Sequence, residues 1–389
     1  MKDFTLCIPT KIVFGKNKIS EIGKYCAEYG NKALFVYGQG SIKSNGIYDI
    51  VVNSLKGKGI EFIEYPGVRP NPLVSHAKKG IEVARKEKVG FILAVGGGSV
   101  IDEAKAIAAG FFYEGDVWDF YKNTAKIKAA LPLLTVLTLP ATGSEMNGGT
   151  VLSDENTKKK FGFINKHLCP KVSILDPSVT LSIPLEYTAY SVVDACIHLL
   201  EGYFTHDDTW SPIQERYAEG LVRTIIECMA KIMENPKNYE ARATFMWAAT
   251  LAWNGIGSAG LGGISSPNHL FAHILGGHYD IAHGAALSII VPGWMKYKYR
   301  EKTHRFAMFA ENVFGIKNGD ENKKALAGID AFEKWFIQIG SPVSFRDANL
   351  SIDELKLDEL ADDVLELADI WDIKEYTRES IIDILKLCL

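Results

Sequence analysis

The sequence predicts an α/β domain built on a parallel sheet, followed by an all-helical domain. In the first part of the chain, short apolar runs that read as buried strands alternate with helical patterns. Continuous apolar strands of this kind are typical of a parallel sheet covered on both faces. From Pro184 onward only long helical patterns occur. Because the pattern changes around Asp176 and Pro177, the predicted domains are residues 1–180 and 181–389.

The order of the elements follows from the spacing of apolar residues. Residues 32–37 and 91–95 are strong buried strands, and a glycine-rich turn follows each of them. Pro66 and Pro140 end two further strands, and helical spacing fills the intervals. The predicted strands are 32–37, 62–65, 91–95 and 133–139; the predicted helices are 47–55, 72–88 and 100–110, and then, approximately, 186–204, 211–234, 237–260, 266–276, 284–299, 301–313, 322–340 and 353–386.

Composition and charge favour a globular enzyme. The chain has 43 Lys and Arg against 47 Asp and Glu, a net charge of −4, and 47% hydrophobic residues. These values exclude a disordered or collagen-like chain, and the slightly acidic balance argues against nucleic acid as a partner. The six cysteines form no C-x-x-C pair, and neither a secretory signal nor an apolar run of about 20 residues is found. We expect a cytoplasmic enzyme with reduced thiols and no membrane partner.

A strand, the turn Gly96-Gly97-Gly98-Ser99 and the start of a helix form a candidate anion cradle. Glycines let the backbone approach a phosphate, and a helix N-terminus supplies free N–H groups and a partial positive charge. Ser99 can cap the helix or donate to a phosphate, and Asp102 could bind a cofactor hydroxyl. The turn matches neither G-x-G-x-x-G nor a Walker A loop, so a plain tight turn is the alternative.

Two further turns of small residues follow predicted strands. One is Gly38-Gln39-Gly40-Ser41, and the other is the segment 138–145, which contains Thr138 and Thr142. In open α/β sheets, ligands bind at the carboxyl ends of the strands. Three such turns at one edge predict a dinucleotide site.

The turn after the first of these strands bears on the choice of cofactor. It carries no Asp or Glu, the residues that hold an adenosine ribose. The neutral, donor-rich residues 38–41, with Lys43 beyond them, could instead accept a 2′-phosphate, so NADP(H) is favoured over NAD(H); a solvated turn is the alternative. Lys158 and Lys159 read as a solvated face, whereas Lys160 could point toward a cofactor ribose.

Histidines and one carboxylate recur at helical spacing in the second half of the chain. Asp194 and His198 are four residues apart, as are His269 and His273, and His283 lies beside a glycine. Residues four apart share one face of a helix, and polar groups in apolar segments need partners. Three imidazoles and one carboxylate suit a divalent metal, either Fe²⁺ or Zn²⁺, with room for a substrate oxygen.

These motifs resemble those of the iron-containing (group III) alcohol dehydrogenases, and especially the butanol dehydrogenases and NADPH-dependent aldehyde reductases of that family. The resemblance covers essentially the whole chain. Its motifs are residues 96–102, residues 137–145, Asp194-x₃-His198, His269-x₃-His273-x₉-His283-Gly284, the opening segment 9–15 and Asp176-Pro177.

The resemblance implies an N-terminal Rossmann-like domain and a C-terminal helical domain, a dehydroquinate synthase-like architecture, with the metal between the domains and a homodimeric assembly. It implies His273 as an unligated histidine near the reacting carbon. His278 receives no role. The implied metal ligands are Asp194, His198, His269 and His283; the implied cofactor contacts are Gly97, Gly98, Ser99 and Asp102 on the pyrophosphate and nicotinamide side, with Thr138, Thr142 and Lys160.

The implied activity is reversible hydride transfer between a nicotinamide cofactor and a primary alcohol or aldehyde. Trp253, Phe271 and Tyr279 could line an apolar substrate pocket or belong to ordinary core. A metal- and NAD-dependent lyase or a polyol dehydrogenase of the same fold is the alternative, although such a lyase needs several basic residues and the helical half offers few near its histidines. A metallohydrolase and a non-catalytic cofactor-binding protein are the remaining classes.

Overall fold

The structure, a computed structural model, describes residues 1–350 and 355–389. These residues form two compact units. The α/β unit consists of Cys7–Ile183 and Asn235–Asn254, and the helical unit consists of Met1–Leu6, Pro184–Glu234 and Gly255–Leu389. The division into a dinucleotide-binding and a metal-binding domain stays a prediction.

Six parallel strands form the main sheet of the α/β unit, in the order β1-β8-β5-β4-β2-β3. The remaining pair, β6 and β7, forms an antiparallel hairpin. The strands are β1 (Lys11–Phe14), β2 (Lys32–Tyr37), β3 (Glu61–Tyr65), β4 (Phe91–Gly96), β5 (Leu133–Leu137), β6 (Gly149–Asp154), β7 (Lys159–Ile164) and β8 (Val172–Leu175).

The register of the central strands brings their carboxyl ends to one edge. Tyr37 of β2 pairs with Val95 of β4, and Gly96 of β4 pairs with Leu137 of β5. The turns that follow β2, β4 and β5 therefore begin side by side, as expected from the sequence. The β4 and β5 strands are buried throughout, which explains why their sequences are continuously apolar.

Helices cover this sheet and build the helical unit. In the α/β unit they are α1 (Ile22–Cys26), α2 (Ser41–Ser44), α3 (Ile47–Lys56), α4 (Val74–Glu87), α5 (Gly98–Gly110), α6 (Trp118–Tyr121) and α9 (Tyr239–Ala252). In the helical unit they are α7 (Leu185–Thr205), α8 (Pro212–Glu234), α10 (Pro267–Tyr279), α11 (His283–Lys298), α12 (Thr303–Phe314), α13 (Glu321–Gln338), α14 (Leu357–Ile370) and α15 (Arg378–Lys386).

The predicted fold class is confirmed, with differences at several elements. The prediction missed β1 and β8, which have only four residues each, and the β6–β7 hairpin, whose second strand begins with two lysines. The helix predicted at 237–260 ends at Ala252, because Gly255 and Gly260 adopt positive φ angles of 92° and 75°.

The last predicted helix, 353–386, is wrong as one continuous element. Its first two residues lie outside the described part of the chain. The remainder divides into α14 and α15, because Asp372 has a φ of 58° and Thr377 caps a new helix through a reciprocal hydrogen-bond pair with Ser380. Among the described residues, no helix is long and apolar enough to cross a membrane.

Candidate metal centre and cofactor-binding edge

The α7 helix presents Asp194 and His198 on one face. Nearly every residue between Thr188 and Phe204 is buried, so polar side chains on this helix need partners. The side chains of Asp194 and His198 are only 4% and 7% exposed, and Asp194 Oδ1 lies 3.4 Å from His198 Nε2. The predicted pairing of these residues on one helix face is therefore present in the structure.

Gly284 allows α11 to begin directly against α7. A Cβ atom at Gly284 would lie 2.1 Å from the backbone oxygen of Tyr190, which is one turn before Asp194. Because α11 starts at His283, this close approach brings the His283 imidazole to the same face of α7. His283 Nε2 lies 3.7 Å from Asp194 Oδ1.

The α10 helix contributes the remaining imidazole. His269 Nε2 lies 3.5 Å from Asp194 Oδ1, and the His269 ring stacks on that of His198 with centroids 4.2 Å apart. The ligand atoms of Asp194, His198 and His269 all lie within 4.8 Å of one another, and this is the one such group among the described residues.

The distances from the three imidazoles to Asp194 fit a metal site, although His283 lies outside the group whose ligand atoms are all within 4.8 Å of one another. With metal–ligand bonds of about 2.1 Å, two ligand atoms of a tetrahedral site are about 3.4 Å apart. The three imidazole nitrogens lie 3.4, 3.5 and 3.7 Å from Asp194 Oδ1. Asp194 Oδ1 and His269 Nε2 are also buried without a hydrogen-bond partner among the described residues, a costly arrangement that a cation would relieve.

Glu201 of α7 holds His269 from the side opposite to Asp194. Its Oε2 lies 2.6 Å from His269 Nδ1, and its Oε1 accepts a hydrogen bond from the His269 backbone N–H at 3.0 Å. A carboxylate on the second nitrogen of a ligating histidine fixes the orientation and tautomer of the ring. Glu201 is not among the residues predicted from the sequence, although it lies seven residues after Asp194 on the same buried helix and therefore near the same helix face.

The charges around the cluster favour a cation. Burial opposes a charge on His269, but Glu201 and Asp194 outweigh it and raise the pKa of His269 to about 10. Burial, together with His269, lowers the pKa of His198 to about 3. The two carboxylates therefore favour positive charge at this cluster. A divalent ion bound by neutral imidazoles fits the same field.

His273 lies beside the cluster. Its ring centroid is 5.4 Å from that of His283 and 5.2 Å from the indole of Trp371, and the residue is 4% exposed. His278, on the same helix, instead contacts Asp363 at 2.6 Å. The structure thus separates the histidines of α10 into three environments. Trp371 was also missed, since nothing local in the sequence links it to His273.

The turn after β4 has the geometry of a close-packed cradle. The α5 helix begins at Gly98, so the N–H groups at its start have no acceptor within the helix. A Cβ at Gly98 would lie 2.7 Å from Thr142 Oγ1, and one at Gly97 would lie 3.1 Å from Leu139 Cβ. The turns after β4 and β5 therefore pack directly against each other, which brings the predicted contacts at residues 97–99 and 138–142 together.

The buried side chain of Asp102 stabilises the turns after β4 and β5 through hydrogen bonds. Its Oδ1 accepts a hydrogen bond from Ser144 Oγ at 2.6 Å, and its Oδ2 accepts one from the Val151 N–H at 3.2 Å. The buried Lys105 donates to the backbone oxygens of Ser144 and Gly149 at 2.8 and 2.6 Å. Burial raises the pKa of Asp102 to about 6, although Lys105 opposes the shift. A direct cofactor contact by Asp102 stays a prediction.

The turn after β2 contains the predicted residues Gly38, Gln39, Gly40 and Ser41, and α2 begins at Ser41. Gly40 has a φ of 135°, and a Cβ there would meet no described atom within 4 Å, so the backbone is open at this point. The adjacent strand β3 carries a carboxylate that was not predicted as part of the site. Glu64 accepts hydrogen bonds from Tyr37 and Tyr48 at 2.5 and 2.7 Å.

Two lysines lie at or near this edge. Lys43 Nζ is 3.4 Å from Glu64 Oε2, and its side chain is half exposed. Hydrogen bonds from Tyr37 and Tyr48 lower the pKa of Glu64, which keeps it charged beside Lys43. Lys160 is buried, and its Nζ donates to Asn71 Oδ1 at 2.9 Å. The prediction that Lys160 points inward agrees with this burial; its contact with a cofactor stays a prediction.

A parallel sheet with small-residue turns at its carboxyl edge, and helices that gather three histidines around one aspartate, are the features of a metal-dependent dehydrogenase. Comparison with known families gives the same answer. The family "Iron-containing alcohol dehydrogenase" matches residues 9–177, and "Fe-containing alcohol dehydrogenase family, C-terminal" matches residues 188–389. The chain belongs to the iron-containing alcohol dehydrogenase family.

The similarity to known relatives covers all or most of the chain. It is 39% identical over 391 residues to the probable NADH-dependent butanol dehydrogenase 1 of Bacillus subtilis, covering 100% of both chains. It is 37% identical over 353 residues to the NADPH-dependent aldehyde reductase YqhD of Escherichia coli, covering 90% of each. The crystal structure of NADH-dependent butanol dehydrogenase A from Thermotoga maritima superimposes with a TM-score of 0.96 at 45% identity, covering 100% of this chain and 99% of that one.

The protein is an iron-type alcohol dehydrogenase, an enzyme of alcohol and aldehyde oxidoreduction.

Proposed function

We propose that the enzyme interconverts short primary alcohols and aldehydes, with NADP(H) preferred over NAD(H). Asp194, His198, His269 and His283 would hold one divalent metal, Fe²⁺ or Zn²⁺. The observation that carries the proposal is the convergence of three imidazole nitrogens, at 3.4, 3.5 and 3.7 Å, on a single buried oxygen of Asp194. Butanol dehydrogenases and an aldehyde reductase among the relatives support the substrate class.

When bound, the metal supplies Lewis acidity toward the substrate oxygen and the nicotinamide supplies or accepts the hydride. The residues of the chain have the other tasks. Glu201 keeps the His269 ring in its ligating orientation through the contact at Nδ1. His273 returns a proton to the substrate oxygen during reduction and removes it during oxidation; a relay through a ribose hydroxyl is the alternative route.

The cofactor preference rests on the turn after β2. Neutral residues 38–41 and the cationic Lys43 suit a 2′-phosphate, whereas the carboxylate of Glu64 on the adjacent strand is already engaged by two tyrosine hydroxyls. The relatives include proteins named for NADH and for NADPH, so the family alone leaves both cofactors open. Residues 97–99 with Thr138, Thr142 and Lys160 would contact the rest of the dinucleotide.

The test is the oxidation of NADPH with butyraldehyde, run anaerobically after loading with Fe²⁺ or Zn²⁺, with NADH in parallel. Metal-dependent turnover that favours NADPH supports the whole proposal. Turnover that favours NADH keeps the reaction and refutes the assignment of the 2′-phosphate. Stoichiometric metal without turnover on any primary aldehyde or alcohol refutes the proposed substrate class.

We also propose a cytoplasmic homodimer, as expected from the sequence. All six cysteines are free, which is consistent with a reducing compartment. Light scattering on the purified protein tests the assembly, and a mass of about twice 43.0 kDa is expected.

A further inference from the structure

We propose that Trp371 limits the length of the substrate chain accepted beside His273, and that the contact between His278 and Asp363 positions Trp371 for this task. The inference rests on the proposed function, because it assigns a specificity role at the same site. It also gives His278, for which the sequence suggested no role, a place in the enzyme.

Trp371 is in ring contact with the candidate active site. The centroids of the Trp371 and His273 rings are 5.2 Å apart at an interplanar angle of 78°, and His273 in turn lies 5.4 Å from the ring of His283. His273 thus has the candidate ligand on one side and the indole on another. Trp371 is half-buried, so part of the residue remains accessible.

The backbone around Trp371 is fixed. Its N–H donates to the Leu367 oxygen at 3.0 Å, and the Ile373 N–H reaches back to the Ala368 oxygen at 2.8 Å across Asp372, which has a φ of 58°. This is a closed helix terminus. Because α14 ends in this way immediately at Trp371, the position of the indole follows the position of α14.

Contacts with the end of α10 hold α14 in place. His278 Nε2 lies 2.6 Å from Asp363 Oδ2, with side chains 4% and 18% exposed. The backbone N–H of Lys356, at the start of α14, donates to Tyr279 Oη at 3.4 Å. The helix that carries His269 and His273 therefore also holds α14 through His278. A third contact follows Trp371, where the ring of Tyr376 packs on Phe271 of α10 with centroids 5.9 Å apart.

An aromatic ring fixed beside the reacting group sets a limit on substrate size. Each methylene that an apolar pocket admits is worth about fourfold in binding. Removal of the indole opens space where the wild-type enzyme has a wall, so longer chains gain and butyraldehyde does not. Loss of the His278–Asp363 contact lets α14 shift and produces the same change to a smaller degree.

The experiment compares kcat and KM for straight-chain aldehydes from acetaldehyde to decanal. The variants are W371A, W371F, D363A, D363N and H278Q. The matched control is D362A, since Asp362 is the exposed neighbour of Asp363 and contacts Arg378. Metal content and thermal melting are measured for every variant, because an effect on stability alone lowers activity toward all chain lengths equally.

We expect W371A to raise the ratio of kcat/KM for decanal over butyraldehyde at least about tenfold, with W371F between W371A and wild type. D363A and H278Q should shift the ratio in the same direction, D363N should lie closer to wild type because it keeps a hydrogen bond, and D362A should leave the ratio unchanged. Metal stoichiometry should stay at the wild-type value throughout.

An unchanged chain-length profile in W371A overturns the role of Trp371. An unchanged profile in D363A and H278Q, alongside a shifted one in W371A, overturns the positioning role. In both of these cases, turnover of butyraldehyde by the wild-type protein still supports the proposed function. Wild-type protein that binds metal and turns over none of the series overturns both proposals.

Discussion

Glu201 Oε2 lies 2.6 Å from Nδ1 of His269, and the opposite nitrogen of that ring lies 3.5 Å from Asp194 Oδ1. The imidazole is thus held between two carboxylates that both come from α7. The second carboxylate cannot itself reach the ligand position, because the ring stands between. Its contribution is to decide which nitrogen carries the proton and where the ring points.

The first prediction concerns this second carboxylate. We expect E201A to weaken metal binding about 10- to 100-fold while all four candidate ligands remain. Chelator competition at fixed pH measures the affinity. E186Q is the control, since Glu186 is an exposed residue on the same helix whose contact is with Tyr190. Equal affinity in E201A and wild type would show that the contact has no influence on the metal.

The second prediction separates the histidines. H269A and H283A should lose metal and activity together, with the fold retained by circular dichroism, because each removes an imidazole that faces Asp194 Oδ1. H273A should keep its metal and lose turnover, as expected for a group that moves a proton. Full metal content in H269A and H283A would refute the ligand assignment, and normal turnover in H273A would remove that residue from the mechanism.

The third prediction compares alanine substitutions at two glycines, Gly284 and Gly220. In G284A the new Cβ would lie 2.1 Å from the backbone of α7, so α11 must move and carry His283 away from Asp194. We expect a loss of stability of about 1–3 kcal/mol and weaker metal binding. G220A is the matched control in α8, where a Cβ meets nothing within 4 Å, and it should stabilise the protein by about 0.5–1 kcal/mol. Urea denaturation and metal titration of both variants provide the measurements.

The fourth prediction addresses the cofactor. K43A should raise the KM for NADPH about tenfold, because a hydrogen bond to a charged phosphate is lost, and should leave the KM for NADH nearly unchanged. K56A, in the last turn of α3, serves as the control. A parallel rise for both cofactors would mean that Lys43 acts on the turn rather than on the 2′-phosphate.

The fifth prediction follows from linkage between binding and folding. A ligand that binds only the folded state at 100 times its Kd stabilises that state by about 2.7 kcal/mol. We therefore expect Zn²⁺ or Fe²⁺ to raise the melting temperature of the chelator-treated enzyme, and H269A to show no such rise. A rise of equal size in H269A would place the bound metal elsewhere.

Local sequence was sufficient for the elements whose signal is periodic. The buried strands β2 and β4, the helices α7 and α10, and the pairs at positions 194 and 198 and at 269 and 273 all follow from spacing along one element. The strands β1 and β8 have only four residues each, which is too short for an apolar run to stand out in the sequence.

The sequence by itself determined which residue types were available for the chemistry and which of them share a helix face or follow a strand. Only the tertiary structure decided that Glu201 lies on His269, that Glu64 is occupied by two tyrosines, and that Trp371 lies on His273 while His278 contacts Asp363. The reason is physical. Spacing within one element is set by the backbone geometry of that element, whereas a contact between residues 68, 85 or 98 positions apart depends on how whole helices pack.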